Sequence, residues 1–406
     1  MTTPPRGYRI LIGIAVGFVL GLIIGSLIAA TVTDKAMRSE ITAWFKAFGD
    51  IFVRLIRIVI PFLIFFTISA AISSIASARR LGLILAWLLI LYVSTSILAA
   101  AWGVLGGVLF TPGSGIRLEL PPDYKPPKPP TGIDILLSFF ATDFSTLLTV
   151  GGSMSMIIFA IILGVSVVLL GEEGRFIAKI LSAGSRLAVS VVRVIMFYAP
   201  IAVFCYAVWL MAEYGPAMLA EYAKFLGVQY GFSLFHFFFI YAIIVSIGGL
   251  NPLRYFKIQS TPFIVAFTTR SSAVTLPYNL EAAKRMGVSE EVYNITLPIG
   301  ATVNMDGTAL YQALSAMFIA QLFGIPLAPY QYGLLIFAAL IGSIATAAIP
   351  GGGVVMLAYV LSVVGLPLEG IALMLVIDPL ADAIRTAINV SGDNACTVLI
   401  DKRLLR

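Results

Sequence analysis

Five residues close to the C-terminus carry the densest chemistry in the chain: Asp378, Asp382, Arg385, Asn389 and Asp393. Their spacing places all five within an arc of about 80° on one face of a helix. One explanation is structural, with Asp382 and Arg385 forming a neutralised pair that staples helices together, while Asp378 and Asp393 cap or reach an interface. Three carboxylates against one guanidinium, however, leave surplus negative charge. Surplus carboxylates in apolar surroundings attract small cations, and a guanidinium in the same stripe is suited to holding a carboxylate with two hydrogen bonds. The stripe therefore points to an anionic ligand bound beside small cations. A second constellation, Asn304-Met305-Asp306-Gly307-Thr308, supplies an amide, a carboxylate, a helix breaker and a hydroxyl in five residues. Local unwinding there would free carbonyls for a hard cation beside Asp306, although a kink or cap explains these residues equally well when taken alone.

Other features are weaker singly. Ser271-Ser272 and Gly351-Gly352-Gly353 offer hydroxyls and backbone amides for anion contact, yet a glycine-rich tip is ordinarily a turn. Tyr92, Thr95 and Ser96 form a hydroxyl cluster whose plain reading is bonding back onto their own helix. His236, within FSLFHFFF, reads as a hydrogen-bonded packing residue rather than a proton carrier. Glu369, after Pro367, reads as an acid placed at a helix start. Cys205 and Cys396 read as packed thiols. With no nucleotide or haem motif and no metal-binding His/Cys cluster, an enzyme has little support.

The elements that must position these groups follow from composition. Of 406 residues 60% are hydrophobic and 11% charged, against about 25% charged in soluble domains. This implies an all-α polytopic membrane protein, with room for roughly eight to ten membrane segments. The net charge of +6 is read as loop asymmetry rather than as a nucleic-acid surface. Arg6 and Arg9, Arg79 and Arg80, and Lys402, Arg403 and Arg406 are expected on the cytoplasmic side, with both termini there. Apolar stretches at 10–32, 44–75, 81–110, 135–170, 187–211 and 225–247 are expected as helices. The first is taken as a retained helix rather than a signal peptide, and the fourth is expected to bend at Gly151-Gly152-Ser153. The segment 111–132 contains PPDYKPPKPPTG and is expected to be an extended, solvated loop. Beyond Gly248 the texture changes: 262–276 and 334–364 each consist of a half-span, a polar tip and another half-span. Such backbone survives at membrane depth only where protein or a wet cavity surrounds it, so each is expected to be a re-entrant hairpin. Each precedes one further helix, at 293–322 and 368–400, and paired interrupted segments of this kind point to a transporter's binding site near the midplane.

TRSSAVTLP, NMDGTALYQ, the IPGGG tip and DPLADAIRTAINVSGD together resemble the glutamate/aspartate transporter family, the dicarboxylate/amino acid:cation symporters. The resemblance implies eight transmembrane helices plus two re-entrant helical hairpins with inverted repeats, in a homotrimer whose transport domains move like elevators against a static scaffold. It divides the chain into scaffold helices 1–2 (1–76), transport helix 3 (77–110), a Pro-rich extracellular loop (111–132), scaffold helices 4–5 (133–220) and a transport-domain core (221–406). It implies that Arg385 and Thr308 hold the substrate's side-chain carboxylate and Asp382, with Thr386 nearby, its amino group. Asn389 would hold the α-carboxylate, with tip contacts around Arg270, Ser271, Ser272, Ile349 and Gly353. Three sodium sites are implied: Gly300, Asn304, Asn389 and Asp393; Thr302, Ser343, Ile344 and Thr346; and Tyr92, Thr95, Ser96, Asn304 and Asp306. Met305 would couple ions to substrate. The presence of both Asp382 and Arg385 favours aspartate or glutamate over a plain dicarboxylate or a neutral amino acid. Gln312 stands where proton- and potassium-coupled animal carriers have Glu, which favours the sodium-only prokaryotic type. Ala273, Val274 and Pro379 depart from the family pattern, Pro379 as an interruption of the last helix. The expectation is a sodium-coupled importer of an acidic amino acid in the cell membrane. The alternatives are a proton-coupled dicarboxylate carrier and an ion channel.

Overall fold

The computed structural model describes residues 6–73, 79–120, 140, 142–148, 153–346 and 352–404, and among them there is no β-strand. The helices are α1 (Arg6–Thr31), α2 (Lys35–Ser73), α3 (Arg79–Phe110), the single turn α4 (Phe144–Leu147), α5 (Ser153–Leu169), α6 (Gly174–Ile195), α7 (Ala199–Tyr214) and α8 (Pro216–Phe235). A π-helical turn, His236–Ile240, links α8 to α9 (Tyr241–Ile247). Then come α10 (Pro252–Thr269), α11 (Ser272–Arg285), α12 (Glu290–Val303), α13 (Asp306–Leu322), α14 (Pro329–Ile344), α15 (Gly352–Val364) and α16 (Gly370–Leu399), which ends in a second π-helical turn, Ile400–Leu404.

Among the described residues α1, α2, α3 and the continuous run Pro216–Ile247 are long and apolar enough to cross a membrane. A fifth span results if α6 and α7, bent by 48° at their junction, act as one. That junction divides the stretch expected as a single helix at 187–211: the helix stops at Met196 and restarts with Pro200 in its first turn, where a missing N–H costs nothing. The 30 residues of α16 would span by length, but the charged stripe sets it apart from an ordinary lipid-facing helix. The proline-rich stretch 121–132 and the Gly151-Gly152 break lie outside the described residues.

Among the described residues two large apolar cores form, beside a small cluster of Ala266, Ala387 and Val390. The first gathers α2 and α7 (Phe52, Ile56, Ile60, Tyr206) against α13 (Phe318), α15 (Tyr359) and the first half of α16 (Leu373). The second gathers the start of α3 (Ile84, Leu88), α9 to α12 (Tyr241, Tyr255, Leu297) and the last half of α16 (Val398). Both cores share α16, and its polar stripe lies along the seam. The helix pairs α10–α11 and α14–α15 pack within themselves and against the long helices α16 and α13 respectively.

Two readings of local sequence change. Glu369 does not cap α16 with its side chain; it accepts from Arg57 Nη2 of α2 at 3.0 Å, so it ties helices together instead. Nor does Pro379 break α16, which runs through it. Just beyond the proline three successive carbonyls accept from outside donors: Pro379 O from Arg270 Nη1 (3.2 Å), Leu380 O from Tyr230 Oη (2.8 Å) and Ala381 O from Gln229 Nε2 (3.0 Å). Side chains of α8 and of the α10–α11 turn thus anchor the helix from the proline onward, while the carbonyl that proline leaves without its usual donor lies four residues earlier, at Leu375.

Candidate functional site

Arg385 lies at the centre of the stripe and is 2% exposed. Its Nη2 and Nε donate to Asp382 Oδ1 at 2.6 and 3.1 Å, and its Nη1 donates to Asp378 Oδ1 at 3.1 Å. The guanidinium also sits 4.6 Å from the ring centroid of Tyr311, a cation–π contact from α13. Thr386 Oγ1 donates to the same Asp382 oxygen at 3.2 Å, whereas Asp382 Oδ2 is buried with no hydrogen-bond partner. A fully buried carboxylate oxygen without a donor is costly. Gly353, in the first turn of α15, lies against this guanidinium: a Cβ there would come within 2.6 Å of Arg385 Nη1, so a larger residue would require the guanidinium to shift from its carboxylates.

Asp382, Arg385 and Thr386 line a narrow cavity with Arg270, Ser272, Met305, Thr308, Thr346, Gly353 and Asn389. Every one of its lining residues was singled out from the sequence. Arg270 holds a left-handed backbone (φ 53°), rare for a residue with a side chain, and this turn aims its guanidinium at α16. Ser271 caps α11, accepting from Val274 N at 3.3 Å, and does not line the cavity. Ile349 lies outside the described residues. Asn389 is committed to the protein: its Oδ1 accepts from Gly307 N (2.8 Å) and Thr308 N (3.3 Å), and its Nδ2 faces Thr308 Oγ1 and Met305 Sδ. An amide from α16 therefore satisfies free N–H groups at the start of α13. Opposite it, α12 ends at Val303 and the chain extends through Asn304 and Met305 before α13 begins, so the helix expected at 293–322 is two helices with a break at the NMDGT motif.

The three implied ion clusters assemble unequally. Asn304 Nδ2 donates to Asp393 Oδ1 (3.0 Å) and to Asn389 O (3.1 Å), and its Oδ1 is buried without a partner. Gly300 joins them, because a Cβ there would meet Tyr92 Oη at 2.5 Å and Asp393 Oδ1 at 2.6 Å. Gly300, Asn304, Asn389 and Asp393 thus come together. So do the partners of Asp306: Thr95 Oγ1 (2.9 Å) and Ser96 Oγ (2.8 Å) donate to its Oδ1, and Tyr241 Oη donates to its Oδ2 at 2.8 Å. The hydroxyl cluster of α3 therefore reaches across to α13 instead of serving only its own helix. Tyr92 turns its hydroxyl to Thr296 O at 3.5 Å. The cluster of Thr302, Ser343, Ile344 and Thr346 is not drawn together by hydrogen bonds: Thr302 bonds back to Ile299 O, Ser343 to Leu340 O and Thr346 to Gly342 O. Gln312 connects the second helix pair, donating to Thr346 Oγ1 (3.4 Å) and Gly353 O (3.3 Å).

A profile of the Sodium:dicarboxylate symporter family matches residues 7–403. The chain belongs to that family. Among similar proteins is a proton/sodium-glutamate symport protein of Bacillus caldotenax, 27% identical over 372 residues, covering 89% of this chain and 88% of that protein. The proton/sodium-glutamate symport protein of Bacillus subtilis (strain 168) is 24% identical over 371 residues, covering 89% and 86%. A C4-dicarboxylate transport protein of Rhodopseudomonas palustris (strain BisB18) is 27% identical over 363 residues, covering 88% and 81%. As a sodium:dicarboxylate symporter family member the chain is a transporter and not an enzyme, and with its apolar helices it is a multi-pass membrane protein. Four buried groups of this symporter were not placed in the site from sequence. Asp378 was read as a surplus carboxylate of the stripe or an interface group, and not as a partner of Arg385. Tyr311 lies in the NMDGTALYQ stretch but was given no role, Tyr241 was not singled out, and His236 was read as a packing residue.

Proposed function

We propose that the protein is a secondary-active symporter that imports an acidic amino acid, aspartate or glutamate, together with several sodium ions. The observation that carries this reading is Asp382 Oδ2, buried and unpaired beside the buried Arg385 guanidinium. A ligand with a carboxylate for Arg385 and an ammonium for Asp382 satisfies both charges, and an amino-dicarboxylic acid has both. A plain C4-dicarboxylate, carried by some relatives according to their names, leaves Asp382 facing a second anion. Sodium fits the remaining acids: Asp306 and Asp393 are ringed by hydroxyls, carbonyls and amides, the oxygen donors a hard cation takes. Arg270, Ser272, Thr308, Thr386, Asn389 and Gly353 would complete the substrate pocket, with Ser271 shaping its tip. Met305 between the pocket and the ion clusters would couple them. The reading extends to α10–α11 and α14–α15 as re-entrant hairpins, an elevator-like transport core in 77–110 and 221–406, a scaffold in 1–76 and 133–220, a homotrimer, and a cell-membrane location with cytoplasmic termini.

The test is uptake of labelled aspartate, glutamate and succinate by proteoliposomes. An inward sodium gradient is expected to drive aspartate or glutamate uptake at least about tenfold above a potassium control. Uptake indifferent to sodium, or succinate uptake driven by a pH gradient alone, would replace this reading with the proton-coupled carrier. Steady current without substrate would replace it with a channel.

A further inference from the structure

His236 is fully buried, and neither ring nitrogen has a hydrogen-bond partner. Its Nε2 lies 3.5 Å from Asp306 Oδ2, the oxygen that also accepts from Tyr241 Oη at 2.8 Å. The rings of His236 and Tyr241 meet edge to face at 4.9 Å between centroids. The two residues are five apart, and on a regular α-helix they would point about 140° away from each other. The π-helical turn removes that separation: Tyr241 N–H bonds to His236 O, and the wider ring brings the fifth residue back over the first. An energetically poor turn is thus retained where it aims two side chains at one carboxylate oxygen, and such turns concentrate at functional sites.

We propose, resting on the symporter reading, that His236 is a positioning residue of the cation site built on Asp306. The imidazole edge at Nε2 and the Tyr241 hydroxyl flank Oδ2 from the α8–α9 side. Oδ1 is thereby kept on the side of Thr95 and Ser96, where a cation can share it with their hydroxyl oxygens. A histidine that orients a ligating carboxylate acts through the ligand and touches neither ion nor substrate, and removing such outer partners weakens ion binding by about 10–100-fold.

The experiment uses the purified full chain and two variants. His236→Gln keeps an N–H donor near the place of Nε2, while His236→Asn carries an amide too short to reach Asp306. Two sodium titrations are read: the thermal unfolding midpoint without substrate, and the rate of aspartate uptake. His236→Asn is expected to raise the sodium half-saturation tenfold or more in both. His236→Gln should stay within about threefold of the parent, and the aspartate KM at saturating sodium should be unchanged in both. Parent-like sodium titrations in His236→Asn overturn the proposal, as do equal losses in the two variants, which would make His236 a packing residue. A parent protein whose uptake and unfolding ignore sodium fails the symporter reading itself, an outcome separate from either variant result.

Discussion

Arg385 shows how one buried guanidinium organises several neighbours. Asp378 and Asp382 are tolerable inside the protein only because Arg385 sits between them, and Tyr311 covers its face. Replacing Arg385 by Cys is expected to lower affinity for aspartate and glutamate by about 100-fold, the scale of a lost charge-assisted pair, and to favour neutral amino acids. It also leaves two buried carboxylates without their cation, a loss of about 3–5 kcal/mol in stability. Isothermal titration with acidic and neutral amino acids, beside thermal unfolding, checks both; undiminished aspartate binding would remove Arg385 from the substrate site. Asp382→Asn separates the two ends of the ligand. Aspartate affinity should fall at least about tenfold while succinate binding holds or improves, because the lost charge faces an ammonium in one ligand and a carboxylate in the other. These residues were legible in sequence because ionisable groups in an apolar helix are rare enough to stand out at once. Tyr311, Tyr241 and His236 were not, since an aromatic residue in an apolar run looks the same whether it packs or reaches a carboxylate.

Helices follow from apolar runs, but their breaks and contacts depend on partners elsewhere in the chain. The break at Asn304-Met305 falls where α16 offers Asn389 and Asp393 to replace lost helix bonds, and no local rule contains those partners. Pro379 illustrates the reverse, a predicted interruption through which the helix runs on, with side chains from elsewhere in the chain anchored on the carbonyls that follow. The first helix carries a plainer signal: Gly13, Gly17, Gly21 and Gly25 recur every four residues and line the face packed on α7. Small residues at this spacing let helix backbones approach closely inside a membrane. A Cβ at Gly21 would lie 2.6 Å from both Ala207 Cβ and Phe204 O, with backbone on one side that cannot turn away. Gly21→Ala is therefore expected to cost about 1–3 kcal/mol through overpacking. The same change at Gly227, whose surroundings are open, should be nearly neutral or slightly stabilising through helix propensity. Thermal unfolding of the two variants in one detergent checks the contrast; equal midpoints would mean that α1 and α7 do not depend on that seam.

At the scale of the whole molecule, the two apolar cores meet along α16, and the polar groups at that seam draw on α3, α10–α11, α12–α13 and α14–α15 together. Sequence reading reached the membership of this seam because its motifs are distinctive, but not the way the cores share one helix, which depends on contacts between residues more than a hundred positions apart. Only the Asp306 and Asp393 groups are already joined by hydrogen bonds, whereas the hydroxyls of Thr302, Ser343 and Thr346 are turned onto their own helices. Sodium at the first two should therefore bind without substrate, and a cation using the third set should need those hydroxyls to turn, Thr346 at the edge of the cavity among them. Anything that binds the folded protein alone stabilises it by mass action, by about 2.7 kcal/mol at a hundredfold excess over Kd. Sodium alone should thus raise the unfolding midpoint, aspartate in potassium should not, and the two together should raise it by more than the sum of their separate effects. Additive shifts would show that substrate and ions bind independently, which a coupled symporter built on this seam does not permit.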